Sequence, residues 1–137
     1  MRVLVDTNVF LDFFLNRGEQ GKTAMTFFLS AHEKKDDIYV SAMSFRDIEY
    51  ITRKIVGEKE SHRILHHLYE GIKKIVDISP DDVINAIFEE RKDFEDSLLI
   101  EAAERAMVDA VITNNLRDFK NSQLPVFSPE EYLSYRK

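Results

Sequence analysis

Carboxylates and amides collect where the chain changes pattern. Asp6 ends the apolar run Arg2–Val5, and Asp47 lies six residues after Ser41 on the segment that leaves a second apolar run. Asp93 and Asp96 sit three apart at the head of an alanine-rich stretch, and Asn114, Asn115 and Asp118 follow a fourth run. If they converge, these groups make an anionic, oxygen-rich site suited to hard cations. Each also has a purely structural explanation. An Asp after a strand serves as a turn residue. Asp93 and Asp96 suit the N-cap and third position of a helix, where both favour its dipole. Asp47 and Glu49 can be solvated helix acids, and Asn114-Asn115 a turn. Convergence separates the two explanations, and it depends on the elements that carry the residues.

Those elements read as an alternation of strands and helices. Apolar, β-branched runs at 2–5, 38–40, 74–78, 110–113 and 125–127 predict five strands. Helical spacing predicts helices over 9–16 and 22–34, with Gly18 and Gly21 as punctuation between them and Ala24, Phe27, Phe28 and Ala31 facing inward. Ser41 caps a helix carrying Phe45, Ile48, Ile51 and Ile55, which Gly57 closes, and another helix covers 59–70. Ser79-Pro80 and Ser128-Pro129, each with an acid three residues after the serine, are helix starts. The first of these helices breaks near Arg91-Lys92. The next runs over 93–107 with Phe94, Leu98, Leu99, Ala102, Ala103 and Ala106 on its apolar face. The expected fold is a three-layer α/β/α sandwich with a mainly parallel five-stranded sheet, residues 1–137 forming one domain. In such sheets sites form beyond the carboxyl ends of the strands.

Composition narrows the function classes. With 44% hydrophobic and 32% charged residues in 137, the chain is globular in character. Its apolar stretches are too short to span a bilayer, and its first residues do not read as a secretory leader. It has no cysteine, which removes disulfides, thiolate metal sites and cysteine nucleophiles and suits a cytoplasmic setting. A net charge of −6 argues against a broad basic surface for holding nucleic acid, though not against an enzyme that touches it briefly.

Four blocks carry a family resemblance. Val3-Leu4-Val5-Asp6-Thr7-Asn8-Val9-Phe10-Leu11-Asp12 resembles the opening motif of PIN-domain nucleases, which include the VapC toxins of bacterial VapBC toxin–antitoxin pairs. Tyr39-Val40-Ser41 through Asp47-Ile48-Glu49, Asp93-Phe94-Glu95-Asp96-Ser97-Leu98-Leu99, and Ala110-Val111-Ile112-Thr113-Asn114-Asn115 through Phe119 resemble the second, third and fourth blocks, in the family's order. The resemblance implies a ribonuclease that cleaves RNA phosphodiesters with a water activated by Mg²⁺ or Mn²⁺. It places Asp6, Asp96 and Asp118 as metal-binding acids and Asp47 and Asp93 beside them as further catalytic acids. Thr7, Asn8 and Asn115 become groups that orient them. The second-block acid is usually Glu, one methylene longer than Asp47, and many members carry an acid where Asn115 stands. A cognate antitoxin and a homodimer are the partners it implies, with no membrane.

The remaining polar residues are less specific. Arg46 and Arg117 are the leading candidates to touch RNA phosphates, with Arg53, Lys54 and Lys120 behind them, and a solvated basic face explains each equally well. His62 and His66, four apart on a helix, read as a structural pair more readily than as metal ligands, having no third ligand nearby in sequence. Phe10, Phe13 and Phe14 belong to the core or to a dimer contact. Two other functions compete: a PIN-like binding module with a weakened site, and a phosphatase or phospho-acceptor domain. The last lacks the second Asp that haloacid-dehalogenase-like phosphatases place where Asn8 stands.

Overall fold

In the computed structural model, which describes residues 1–89, 93–120 and 122–137, the five strands form one sheet in the order β3-β2-β1-β4-β5. They are β1 (Arg2–Val5), β2 (Asp37–Ser41), β3 (Lys74–Val76), β4 (Ala110–Ile112) and β5 (Val126–Phe127), and every pairing is parallel. The expected sandwich is what forms. Alternation along β1 assigns its side chains to two layers. Val3 and Val5 enter a core cluster with Val9, Phe10, Phe27 and Tyr132, while Leu4 enters the opposite one with Leu99, Ile100 and Phe119. Because both faces are covered, the central strands are continuous apolar runs rather than alternating ones.

The first layer consists of α1 (Thr7–Phe14), α2 (Gly18–Glu33), α3 (Ala42–Val56), α4 (Glu58–Gly71) and α7 (Pro129–Tyr135), and α5 (Pro80–Phe88) packs with α6 (Phe94–Arg105) on the second side. Ser79 and Ser128 form the expected capping boxes, with Asp82 and Glu131 bonding back to the cap backbone. Ser41 caps α3 through the amide of Met43 at 3.2 Å.

Several boundaries differ from the expectation, the first two for local reasons. Helix α1 begins at Thr7, not residue 9, because the Asp6 side chain accepts from the Thr7 amide and caps it. Helix α2 begins at Gly18, so Gly21 lies within its first turn rather than between helices. A Cβ on Gly21 would meet the Asp12 carbonyl oxygen at 2.8 Å, so glycine there lets α2 approach the end of α1. Strands β3 and β4 are shorter than the apolar runs that announce them. Phe28 is only half-buried, and Ile55 and Phe94 point outward, so the apolar faces of these helices are narrower than their sequences suggest. The break expected at Arg91-Lys92 lies outside the described residues. No helix among them is long and apolar enough to cross a membrane.

Candidate functional site

The sheet register assembles the site. Val5 pairs with Ile112, so one residue further on Asp6 stands beside Thr113 at the carboxyl edge. The Asp6 amide donates to the Ile112 carbonyl at 2.9 Å, and the Thr113 hydroxyl donates to Oδ2 of Asp6 at 2.8 Å. The Thr7 amide (2.8 Å) and the Asn8 side-chain amide (3.1 Å) complete the donor set around Asp6. All these donors are neutral. Burial raises the pKa of Asp6 above its usual value, the three hydrogen bonds oppose the rise, and the charge of Asp118 adds to it.

Helix α6 supplies the facing acids. Asp93 caps the helix, accepting from the Asp96 amide at 3.2 Å, and stays exposed. Asp96, within the first turn, has its pKa pushed up to about 7, first by burial and then by the charges of Asp93, Asp6 and Asp118, with a hydrogen bond to Asp118 adding to the shift. Asp118 lies on the 3₁₀ turn Leu116–Phe119 that follows β4, and reaches the cluster from there. On the other rim, Asp47 of α3 is hydrogen-bonded to Glu95, whose pKa rises through burial, that bond, and the nearby charges of Asp47, Asp93 and Asp6. A cavity of about 20 Å³ lies among Asp6, Ser44, Asp47, Glu95 and Asp96. That is space for about one water molecule.

The five acids expected from the sequence therefore share one electrostatic neighbourhood, Asp47 joining it through Glu95. Among the described residues, no group of three or more histidine and carboxylate side chains is arranged to hold a metal ion. The acids stand instead as the contacts Glu95–Asp47 and Asp96–Asp118, with Asp6 buried beside them. Like-charged groups this close resist simultaneous ionisation, which adds to the rise already caused by burial at Asp6, Glu95 and Asp96. By chemistry the all-oxygen donor set fits a hard divalent cation.

The expected orienting residues divide. Asn8 bonds Asp6 with its side chain and also accepts from the Asn114 amide at 3.2 Å, while Thr7 serves Asp6 through its backbone and uses its hydroxyl on Ser44 at 2.9 Å. The Asn115 backbone amide donates to the Thr113 hydroxyl at 3.0 Å. Glu49 faces away from Asp47 and pairs with Arg53 at 3.3 Å. Arg46 pairs with Asp47 at 3.2 Å on the site's rim, and Arg117 and Lys120 are exposed on and after the turn that bears Asp118. Lys54 lies over the Tyr50 ring, 4.0 Å from its centre. His62 and His66 are exposed on α4, far along the chain from any of these acids. Phe10 is a core residue stacked on Phe28 at 5.2 Å, and with Phe13 and Phe14 it borders a separate cavity of about 510 Å³.

Glu95, Thr113 and Asp12 do not stand out in the sequence as members of the site. Asp12 is buried, accepts from the Asn114 side chain at 2.6 Å and lies 3.7 Å from Arg17, so it fixes the loop after β4 to α1. A threonine directly after a buried strand, facing an acid after the neighbouring strand, is the signal that would have found Thr113.

The model of the PIN domain family matches residues 2–117, and the chain belongs to that family. Its fold is also that of solved toxin–antitoxin components. The toxin–antitoxin complex from Klebsiella pneumoniae contains a chain 22% identical, with 93% of this chain and 97% of that one covered and a TM-score of 0.66. VapBC2 from Rickettsia felis, bound to a promoter DNA fragment, matches at 17% identity, 93% and 98% coverage and a TM-score of 0.70. VapC20 from Mycobacterium tuberculosis, a toxin that cleaves the sarcin–ricin loop, matches at 9% identity, 80% and 86% coverage and a TM-score of 0.64. No curated protein matches the chain.

Proposed function

We propose that this protein is a metal-dependent endoribonuclease and the toxin of a toxin–antitoxin pair, residues 1–137 acting as one PIN domain. The observation that carries the reading is the environment of Asp6. A carboxylate is buried at the carboxyl edge of a PIN sheet, given neutral donors and faced by further acids, with no cationic partner among the described residues. Asp6, Asp96 and Asp118 would hold Mg²⁺ or Mn²⁺, with Asp47 and Asp93 beside them. Such an ion supplies positive charge against an anionic phosphodiester and makes water a better nucleophile at neutral pH.

The protein's own residues do the positioning. Thr113, Asn8 and the Thr7 amide hold Asp6 in one orientation, and the Asn115 amide orients Thr113 in turn. Asp12 and Asn114 keep the loop bearing Asp118 against α1. Arg46 beside Asp47 and Arg117 beside Asp118 would meet the flanking phosphates. A cognate antitoxin, a second copy of the chain and a cytoplasmic location complete the reading, which draws on the VapBC complexes that share the fold.

Cleavage of a panel of structured and single-stranded RNAs is the test. Activity should require Mg²⁺ or Mn²⁺ and fall at least about a hundredfold in Asp6→Asn and Asp96→Asn, with circular dichroism unchanged. Purified wild-type protein that leaves every RNA intact with either ion overturns the reading. The spacing of the acids, which gathers no three around one point among the described residues, favours a second reading as a binding module with a weakened site. On that reading, Mn²⁺ titration would give the same heat in wild type and Asp6→Asn.

A further inference from the structure

Helix α3 leaves the carboxyl edge of the sheet with Ser44, Ile48 and Thr52 buried. Its opposite face carries Arg46, Tyr50 and Lys54, all exposed and spaced four apart. They form a row about 12 Å long that begins beside Asp47 on the site's rim. The Tyr50 ring organises the two cations. The Lys54 ammonium sits 4.0 Å from the ring centre and donates to the Tyr50 hydroxyl at 2.7 Å, and the Arg46 guanidinium carbon lies 5.9 Å from the same centre. Arg46 shares its charge with Asp47 at 3.2 Å, and the neighbouring Arg53 with Glu49 at 3.3 Å. Among the described residues Lys54 has no acidic partner. In a chain with 25 acids and 19 lysines and arginines, it is a cation held on a neutral ring, its charge unshared.

We propose that Arg46, Tyr50 and Lys54 form a track for single-stranded RNA, with Lys54 holding a phosphate beyond the one that Arg46 meets at the rim. The inference rests on the ribonuclease reading above and adds where the strand runs once it leaves the acidic site. The acids at the sheet edge repel a polyanion, so affinity for one must come from cations outside them. A row that starts at the rim and leads away along one helix offers successive phosphates successive partners. Tyr50 fixes Lys54 before the strand arrives, so less side-chain freedom is lost on binding. An acidic protein segment could use the same charges, but only a substrate strand must also pass the rim, and the row is continuous with it.

The experiment is fluorescence anisotropy of a labelled single-stranded RNA of about twelve nucleotides. Protein is titrated into it with Ca²⁺ at several salt concentrations, and the RNA is checked intact on a gel afterwards. Thermal melting shows that each variant is folded. Lys54→Gln should weaken binding by about fivefold or more and lower the slope of log affinity against log salt by about 0.7, one phosphate contact on a single strand. Lys22→Gln, which removes the same charge from α2, should leave the slope unchanged. Tyr50→Leu should weaken binding about threefold although Lys54 keeps its charge. A wild-type slope in Lys54→Gln overturns the proposal, as does an equal fall in Lys22→Gln or wild-type affinity in Tyr50→Leu. Loss of polyglutamate binding in Lys54→Gln with RNA binding intact overturns it in favour of an acidic protein partner. Wild-type protein that binds no RNA also overturns the track, and the ribonuclease reading falls with it only if that protein cleaves none of the RNA panel either.

Discussion

Two buried aspartates stand at opposite edges of the same sheet. Asp36, just before β2 at its amino edge, is met by the ammonium group of Met1 at 2.8 Å, by the Tyr132 hydroxyl, and by both ends of the Arg136 guanidinium at 2.7 and 3.0 Å. Burial alone would raise its pKa, but these partners together bring it below the usual carboxylate value. Asp6, at the carboxyl edge, has three neutral donors and acidic neighbours, and its pKa rises. Asp82 repeats the Asp36 pattern with Arg105 at 2.9 Å. Where the protein uses a buried carboxylate to hold itself together, it provides the cation. At Asp6 and Asp96 no such partner stands among the described residues, and burial with neighbouring acids raises both pKa values instead.

Breaking the compensated side should have the larger effect. Asp36→Ala strands the Arg136 guanidinium and the Met1 ammonium, and should lower stability by about 3–5 kcal/mol in urea unfolding at neutral pH. The pKa of Asp36 is lowered on folding, so its contribution is full above the unfolded value. It fades as pH falls through the folded one, and the gap between variant and wild type should narrow in acid. A variant unchanged at pH 7 would deny the clamp.

The uncompensated side is sharpened by two smaller changes. Thr113→Val removes the hydroxyl that donates to Asp6 at 2.8 Å, and should cost about 1.5–3 kcal/mol at pH 7, with a further rise in the Asp6 pKa visible by carboxylate NMR. Asp96→Asn should act in the opposite direction. Between the ordinary value of 3.8 and about 7, folded Asp96 holds a proton that the unfolded chain has released, so wild-type stability falls as pH rises through that interval. Asp96 is partly open to solvent, and with screening the variant should gain about 1 kcal/mol at pH 8 and nothing below pH 4. Equal melting curves at pH 8 would mean that the acids do not strain the fold.

The fold was legible because its signals are local. Val-rich runs flanked by turn residues mark buried parallel strands, and the serine–proline starts at Ser79 and Ser128 declare helices without outside help. The site was legible where a strand end and a motif coincide, as at Asp6, or where a helix start carries acids, as at Asp96. Glu95 was not, because its partner Asp47 lies on another helix and nothing near Glu95 in the chain distinguishes it from an acid placed for the dipole. The start of α1 is hidden in the sequence for a related reason: Asp6 caps the helix at Thr7, while apolar spacing begins only at Val9. Gly21 reads as a break by composition and is in fact a contact, since its meaning depends on the Asp12 carbonyl it approaches.

The Asp36 clamp also has a consequence in time. Its arginine comes 100 residues later in the chain, so at ribosomal rates roughly 5–20 s separate the synthesis of the two. During that interval Asp36 must stay hydrated or wait half-assembled. The strand that brings Thr113 to Asp6 is synthesised earlier than the helix that brings Tyr132 and Arg136. The clamp on Asp36 can therefore close only after α7 has been made.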